Sequence, residues 1–162
     1  MCLDWRLWIT CNIQVSRLGQ PDWTALEMET AMLEARTISI SINRNWNDVY
    51  EAIWRPEDFP EWASGLSKSS LAKDGEVWKA EGPEGPITIK FTDHNVFGVM
   101  DHYVDVGIGP KICIPMRIIP NGDGAEVLLT LFRQPGMSDA KFEADAEWVE
   151  RDLLSLKALI AR

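Results

Sequence analysis

The sequence predicts an α+β fold in which a curved antiparallel sheet of seven strands wraps around one long C-terminal helix. Three observations carry this. Ile38, Ile40 and Ile42 alternate with Ser39, Ser41 and Asn43 at the two-residue period of a half-buried strand. Between about Ser67 and Arg133 helical periodicity is almost absent while turn residues recur. From Phe142 to Ile160, apolar residues return at steps of three, four and seven, the signature of a helix with one buried stripe.

Taken in order, residues 1–35 read as an extension: Trp5, Trp8 and Trp23, three of the eight tryptophans, lie there, then Gln20-Pro21-Asp22 and a helix-favouring run from Thr24 to Ala35. Met28 and Met32 stand just upstream of the first strand as alternative starts. Residues 36–162 form the expected domain, and 162 residues leave no room for a second core of ordinary size. After the first strand, Asn45 or Asn47 can cap a helix carrying Val49, Tyr50, Ile53 and Trp54, which Pro56 stops. A second short helix starts near Glu57. Turn chemistry at Asp74-Gly75, Gly82 to Pro86, His94-Asn95, Gly107 to Pro110 and Asn121 to Gly124 then divides the chain into six strands. In one of them Ile87, Ile89 and Phe91 alternate with Thr88, Lys90 and Thr92, so one face is dry and needs a cover. The cover is the last helix, from Ser138 as N-cap to Ala161, about 36 Å long at 1.5 Å per residue.

Composition narrows the partners. With 46% hydrophobic and 25% charged residues the chain is globular rather than disordered. A net charge of -9 without a Lys/Arg cluster disfavours a nucleic-acid backbone or an anionic membrane surface. Cys2, Cys11 and Cys113 are too dispersed for a metal motif and odd in number, which points to the reducing cytoplasm. Leu7-Trp8-Ile9 is flanked by charged and polar residues and is neither a signal peptide nor a membrane span.

His94 and His102 are the only histidines, too few and wrongly spaced for a metal site, and no phosphate-binding glycine loop occurs, so no cofactor is expected. His94, between Asp93 and Asn95, reads as turn surface. His102 falls in register with Met100, Val104 and Val106, the more apolar set of Gly98 to Val106, and should point inward. There it either satisfies itself on a backbone carbonyl or serves as a proton shuttle for a ligand. Arg117 reads as solvent-facing and paired with Glu126 on the next strand.

Three segments, WRPEDFPEWASG (Trp54 to Gly65), GVMDHYVDVG (Gly98 to Gly107) and PMRIIPNGDGAEVLLTLFRQPGM (Pro115 to Met137), together with the element order resemble the SRPBCC superfamily of START-like and Bet v 1-like proteins. The resemblance spans about Arg36 to Arg162 and is closest to the bacterial polyketide cyclase/dehydrase-like branch. It implies a helix-grip fold with an apolar cavity between sheet and C-terminal helix, and a small hydrophobic molecule as partner. The candidate lining residues are Trp54, Phe59, Trp62, Trp78, Ile89, Phe91, Met100, His102, Met116 and Val149, with Phe59 and Trp62 at the mouth. Two other functions stay open: a cofactor-independent cyclase or dehydratase using His102, and a protein-interaction module acting through the Trp-rich N-terminus.

Overall fold

The computed structural model describes residues 32–66, 71–82 and 85–161. The chain divides into two units, Met1–Met32 and Leu33–Arg162. The expectations for Trp5, Trp8, Trp23, Cys2 and Cys11 lie outside the described residues, whose strands and helices all belong to the second unit.

Strand β1 (Ala35–Ile42) begins two residues earlier than Thr37, so the end of the helix-favouring run is not helical. Ala35 pairs with Phe132, and the Arg133 N–H donates to the Glu34 carbonyl at 2.9 Å. Asn45 caps helix α1 (Trp46–Ile53), its side chain accepting from the Asn47 N–H, and the buried Val49, Tyr50 and Ile53 give the helix its inner face. Pro56 opens a single 3-10 helix, Pro56–Glu61, which buries Phe59.

The sheet departs from expectation. Instead of seven strands in one sheet, the described residues form eight strands in two hydrogen-bonded sheets. A meander of β2 (Ala72–Asp74), β3 (Val77–Gly82), β4 (Gly85–Phe91), β5 (His102–Asp105) and β6 (Ile112–Ile114) makes the larger one. The smaller has the order β1, β8 (Gly124–Phe132), β7 (Met116–Asn121), all antiparallel. The extra strand arises at Pro115. With no N–H to offer a ladder, Pro115 ends β6, and the chain continues as β7 against a different neighbour.

Gly98 to Met100 stitch the two sheets together. The Met100 N–H donates to the Met116 carbonyl and the Ile118 N–H to the Gly98 carbonyl, both at 2.9 Å. Asp101 secures the same corner by accepting from the Met116 N–H at 2.9 Å and pairing with the Arg117 guanidinium. Arg117 therefore faces Asp101, not Glu126. Glu126 instead accepts from the Ser41 hydroxyl at 2.7 Å and the Asn121 amide at 3.2 Å.

Helix α2 (Asp139–Ile160) starts where the sequence indicates, with Ser138 Oγ accepting from the Lys141 N–H. It packs on β1 and β8. Arg36 of β1 grips Glu143 through both terminal guanidinium nitrogens, at 2.6 and 2.5 Å, and lies over the Phe142 ring. Phe142, Ala146, Leu153, Leu156 and Ile160 are its buried residues. Antiparallel sheets gripping a C-terminal helix make this a helix-grip arrangement. No helix among the described residues is long and apolar enough to cross a membrane.

Candidate functional site

Where α2 and the larger sheet diverge, a cavity of about 330 Å³ remains between them. Its floor comes from the inward positions of β4 and β5, where the two-residue period puts Ile87, Ile89 and Phe91 beside His102 and Val104. Strand β6 closes one side with Ile112, Cys113 and Ile114, and β8 contributes Leu129 and Leu131. Phe59 and Trp62, carried in by the 3-10 helix and its end, pack ring against ring at 4.9 Å on the rim. Helix α2 presents Asp145, Trp148, Val149 and Asp152, spaced so that one helical face meets the space.

Six expected lining residues, Phe59, Trp62, Ile89, Phe91, His102 and Val149, thus come together around one cavity. Four do not line it. Met100 and Met116 are consumed in the solid core where the sheets meet. Trp78 shares a face with Ile89 but lies beyond the cavity, with the Lys73 ammonium over its ring at 5.7 Å. Trp54 ends α1 against His94, ring centroids 4.5 Å apart, because the α1 stripe points to β7 and β8. Val106, expected inside, is 44% exposed, the inward alternation stopping as the chain leaves β5. His94 itself is bonded to Glu51 at 2.8 Å on the surface.

His102 is the buried polar residue of this site, 8% exposed. Its Nδ1 lies 3.2 Å from the Met100 carbonyl. A carbonyl only accepts, so Nδ1 carries the proton and Nε2 is a lone-pair acceptor. Among the described residues Nε2 has no hydrogen-bond partner, and the ring is part of the cavity wall. Burial among Phe59 and Phe91, ring centroids 5.6 and 5.5 Å away, pushes the imidazole pKa down to about 4 against the modest opposing pull of the carbonyl. The ring is neutral at physiological pH.

Two carboxylates in the wall are absent from the sequence expectation, because acids on an amphipathic helix ordinarily face solvent. Asp145 and Asp152 stand four before Val149 and four after Trp148, so the 3.6-residue period places them on the cavity face. Burial raises the Asp152 pKa, opposed by hydrogen bonds from Ser64, whose N–H donates to Oδ1 at 3.1 Å. Ser64 also receives the Trp148 indole N–H, tying the rim to α2. Leu129 and Leu131 are legible as an alternating strand in Ala125 to Phe132, but not as part of a site. Among the described residues, no three His, Cys, Asp or Glu side chains are grouped to hold a metal ion.

No family model matches the chain, and no curated protein does. Solved structures do. An uncharacterized protein from Bacillus thuringiensis superposes with a TM-score of 0.65 at 16% identity, over 80% of this chain and 100% of that one. Ara h 8.0201 gives 0.61 at 10% identity, covering 80% and 99%. DynU16, from the dynemicin biosynthetic locus, gives 0.58 at 14% identity over 78% of this chain, which spans 47% of its length.

Proposed function

Given that the chain has the Bet v 1-like, helix-grip fold of the SRPBCC superfamily, we propose that it binds a small hydrophobic molecule in the cavity between the larger sheet and α2, without transforming it. The observation that carries this is the cavity itself, a space of about 330 Å³ walled mainly by aliphatic and aromatic side chains. Its volume falls in the range of small-molecule sites. Left empty it forfeits dispersion contacts on every wall, and water gains few hydrogen bonds there, so an apolar guest has the advantage.

His102 favours carriage over catalysis. A proton shuttle works best with a pKa near the working pH, and an imidazole held at about 4 is a weak base at neutrality. It accepts a hydrogen bond and fixes an orientation instead. The interaction-module reading concerns residues 1–35, of which 1–31, with all three tryptophans, lie outside the described residues.

Bicyclic aromatics of naphthalene size test the proposal. At a concentration a hundredfold above Kd, such a ligand should stabilise the native state by about 2.7 kcal/mol and raise Tm accordingly. Val149→Trp, which fills the space from the α2 side, should remain folded and lose that response. A response unchanged in Val149→Trp would place binding elsewhere.

A further inference from the structure

We propose that the cavity selects an uncharged apolar molecule that carries a hydroxyl group, with the hydroxyl donating to His102 Nε2, and that it rejects carboxylates. This rests on the cavity being a ligand site and specifies the chemical class of its occupant.

The polar groups of the wall decide the class. His102 commits its only N–H to the Met100 carbonyl, leaving Nε2 as an acceptor inside an aromatic box. The Trp148 N–H is taken by Ser64, and the Cys113 thiol is engaged with the Tyr103 hydroxyl. Gln134 commits an amide N–H to the Phe132 carbonyl at 2.8 Å. The Trp62 N–H has no partner among the described residues, but it is fully buried and exposes no surface to a ligand. Besides the second amide N–H of Gln134, what the described wall residues keep on offer is acceptors: His102 Nε2 and the side-chain oxygens of Gln134, Asp145 and Asp152.

Charge points the same way. Among the described residues no Lys or Arg lines the cavity, while two carboxylates do. An anionic ligand would lose its hydration, meet like charge and find no cationic donor among the described residues. A fatty acid is therefore a poor occupant. An ammonium group would be attracted by the carboxylates, but Asp145 already pairs with Lys141 at 2.8 Å and Asp152 with the Ser64 N–H, and the apolar box around His102 penalises a full charge. A hydroxyl supplies the one donor His102 lacks at small desolvation cost.

Four probes of one shape separate these cases: 2-naphthol, 2-methylnaphthalene, 2-naphthoate and 2-naphthylmethylamine, titrated at pH 7.5 by calorimetry into the full chain and into His102→Phe. In the wild type 2-naphthol should bind at least about threefold tighter than 2-methylnaphthalene, and at least about tenfold tighter than 2-naphthoate. His102→Phe should bring the ratio of 2-naphthol to 2-methylnaphthalene affinity to about one, whatever it does to the affinity for 2-methylnaphthalene itself. The selectivity is overturned if 2-naphthoate or the amine binds as tightly as 2-naphthol, or if the preference persists in His102→Phe. Should that variant not fold, the wild-type ranking of the four probes decides by itself. The two readings fail differently: equal binding of 2-methylnaphthalene and 2-naphthol defeats the selectivity alone, whereas no binding by any probe defeats the cavity as a ligand site.

Discussion

His102 holds its imidazole among Phe59, Phe91 and the cavity, and protonating it there means burying a charge whose one hydrogen-bonding neighbour is the Met100 carbonyl. Its pKa is about 4 in the folded protein against 6.5 when exposed. Between these values the unfolded chain holds more protons than the native one. Stability from this group is therefore complete above about pH 6.5 and is lost as pH falls towards 4, by at most about 3 kcal/mol. Asp152, with its pKa raised by burial, acts in the opposite sense, so the effect must be isolated by difference. Urea unfolding of wild type and His102→Phe at pH 7.5 and 4.5 should show the wild type losing more stability on acidification. Parallel losses would mean that the ring is not held neutral by burial.

Two elements depend on single positions. On α2, neighbouring leucines have opposite surroundings: Leu153 is 1% exposed and Leu154 is 54% exposed. Leu153→Ala should cost about 2–5 kcal/mol, while Leu154→Ala should stay within about 0.5 kcal/mol. Equal Tm changes would show that α2 does not cover the sheet through this stripe. At the junction of the sheets, Gly98 has φ 66° and its carbonyl accepts from the Ile118 N–H. A Cβ there would meet the Ile118 carbonyl oxygen and impose left-handed strain of about 1–2 kcal/mol besides. Gly98→Ala should therefore lower stability by more than that strain alone, whereas Gly122→Ala, with open space around it, suffers only the strain. Comparable melting of the two variants would remove the close approach as the reason for glycine at 98.

At the scale of the molecule, the parts of the grip all lie in Leu33–Arg162: β1 is held by β8 and by α2, and Arg133 ties Glu34 to Asp139 at the start of that helix. A chain beginning at Met32 should consequently fold with a Tm within a few degrees of the full chain. A fall of more than about 10 °C, equivalent to roughly 3 kcal/mol for a domain of this size, would show that the preceding residues complete the core. The cavity has the same origin. Helix α2 packs on β1 and β8 of the smaller sheet, and between its cavity-facing side and the larger sheet a gap remains instead of a filled layer.

What is local in this protein is legible in the chain alone. The alternation of Ile38, Ile40 and Ile42, the Asn45 and Ser138 caps, the stop at Pro56 and the stripe through Leu153 and Leu156 each record a period or a turn that one short segment satisfies without help. The inward direction of His102 is legible for the same reason. What each buried face meets depends on packing between distant segments. Met100 and Ile89 look equally apolar in sequence, yet one fills the junction of two sheets and the other borders a cavity. Asp101 takes Arg117 from Glu126 because the chain changes sheets at Pro115, and Asp152 enters the cavity wall because α2 is rotated to seat Leu153. Periodicity specifies which side of an element leaves water. The distance and angle between elements, set by many weak contacts far apart in the chain, specify whether that side finds protein or space.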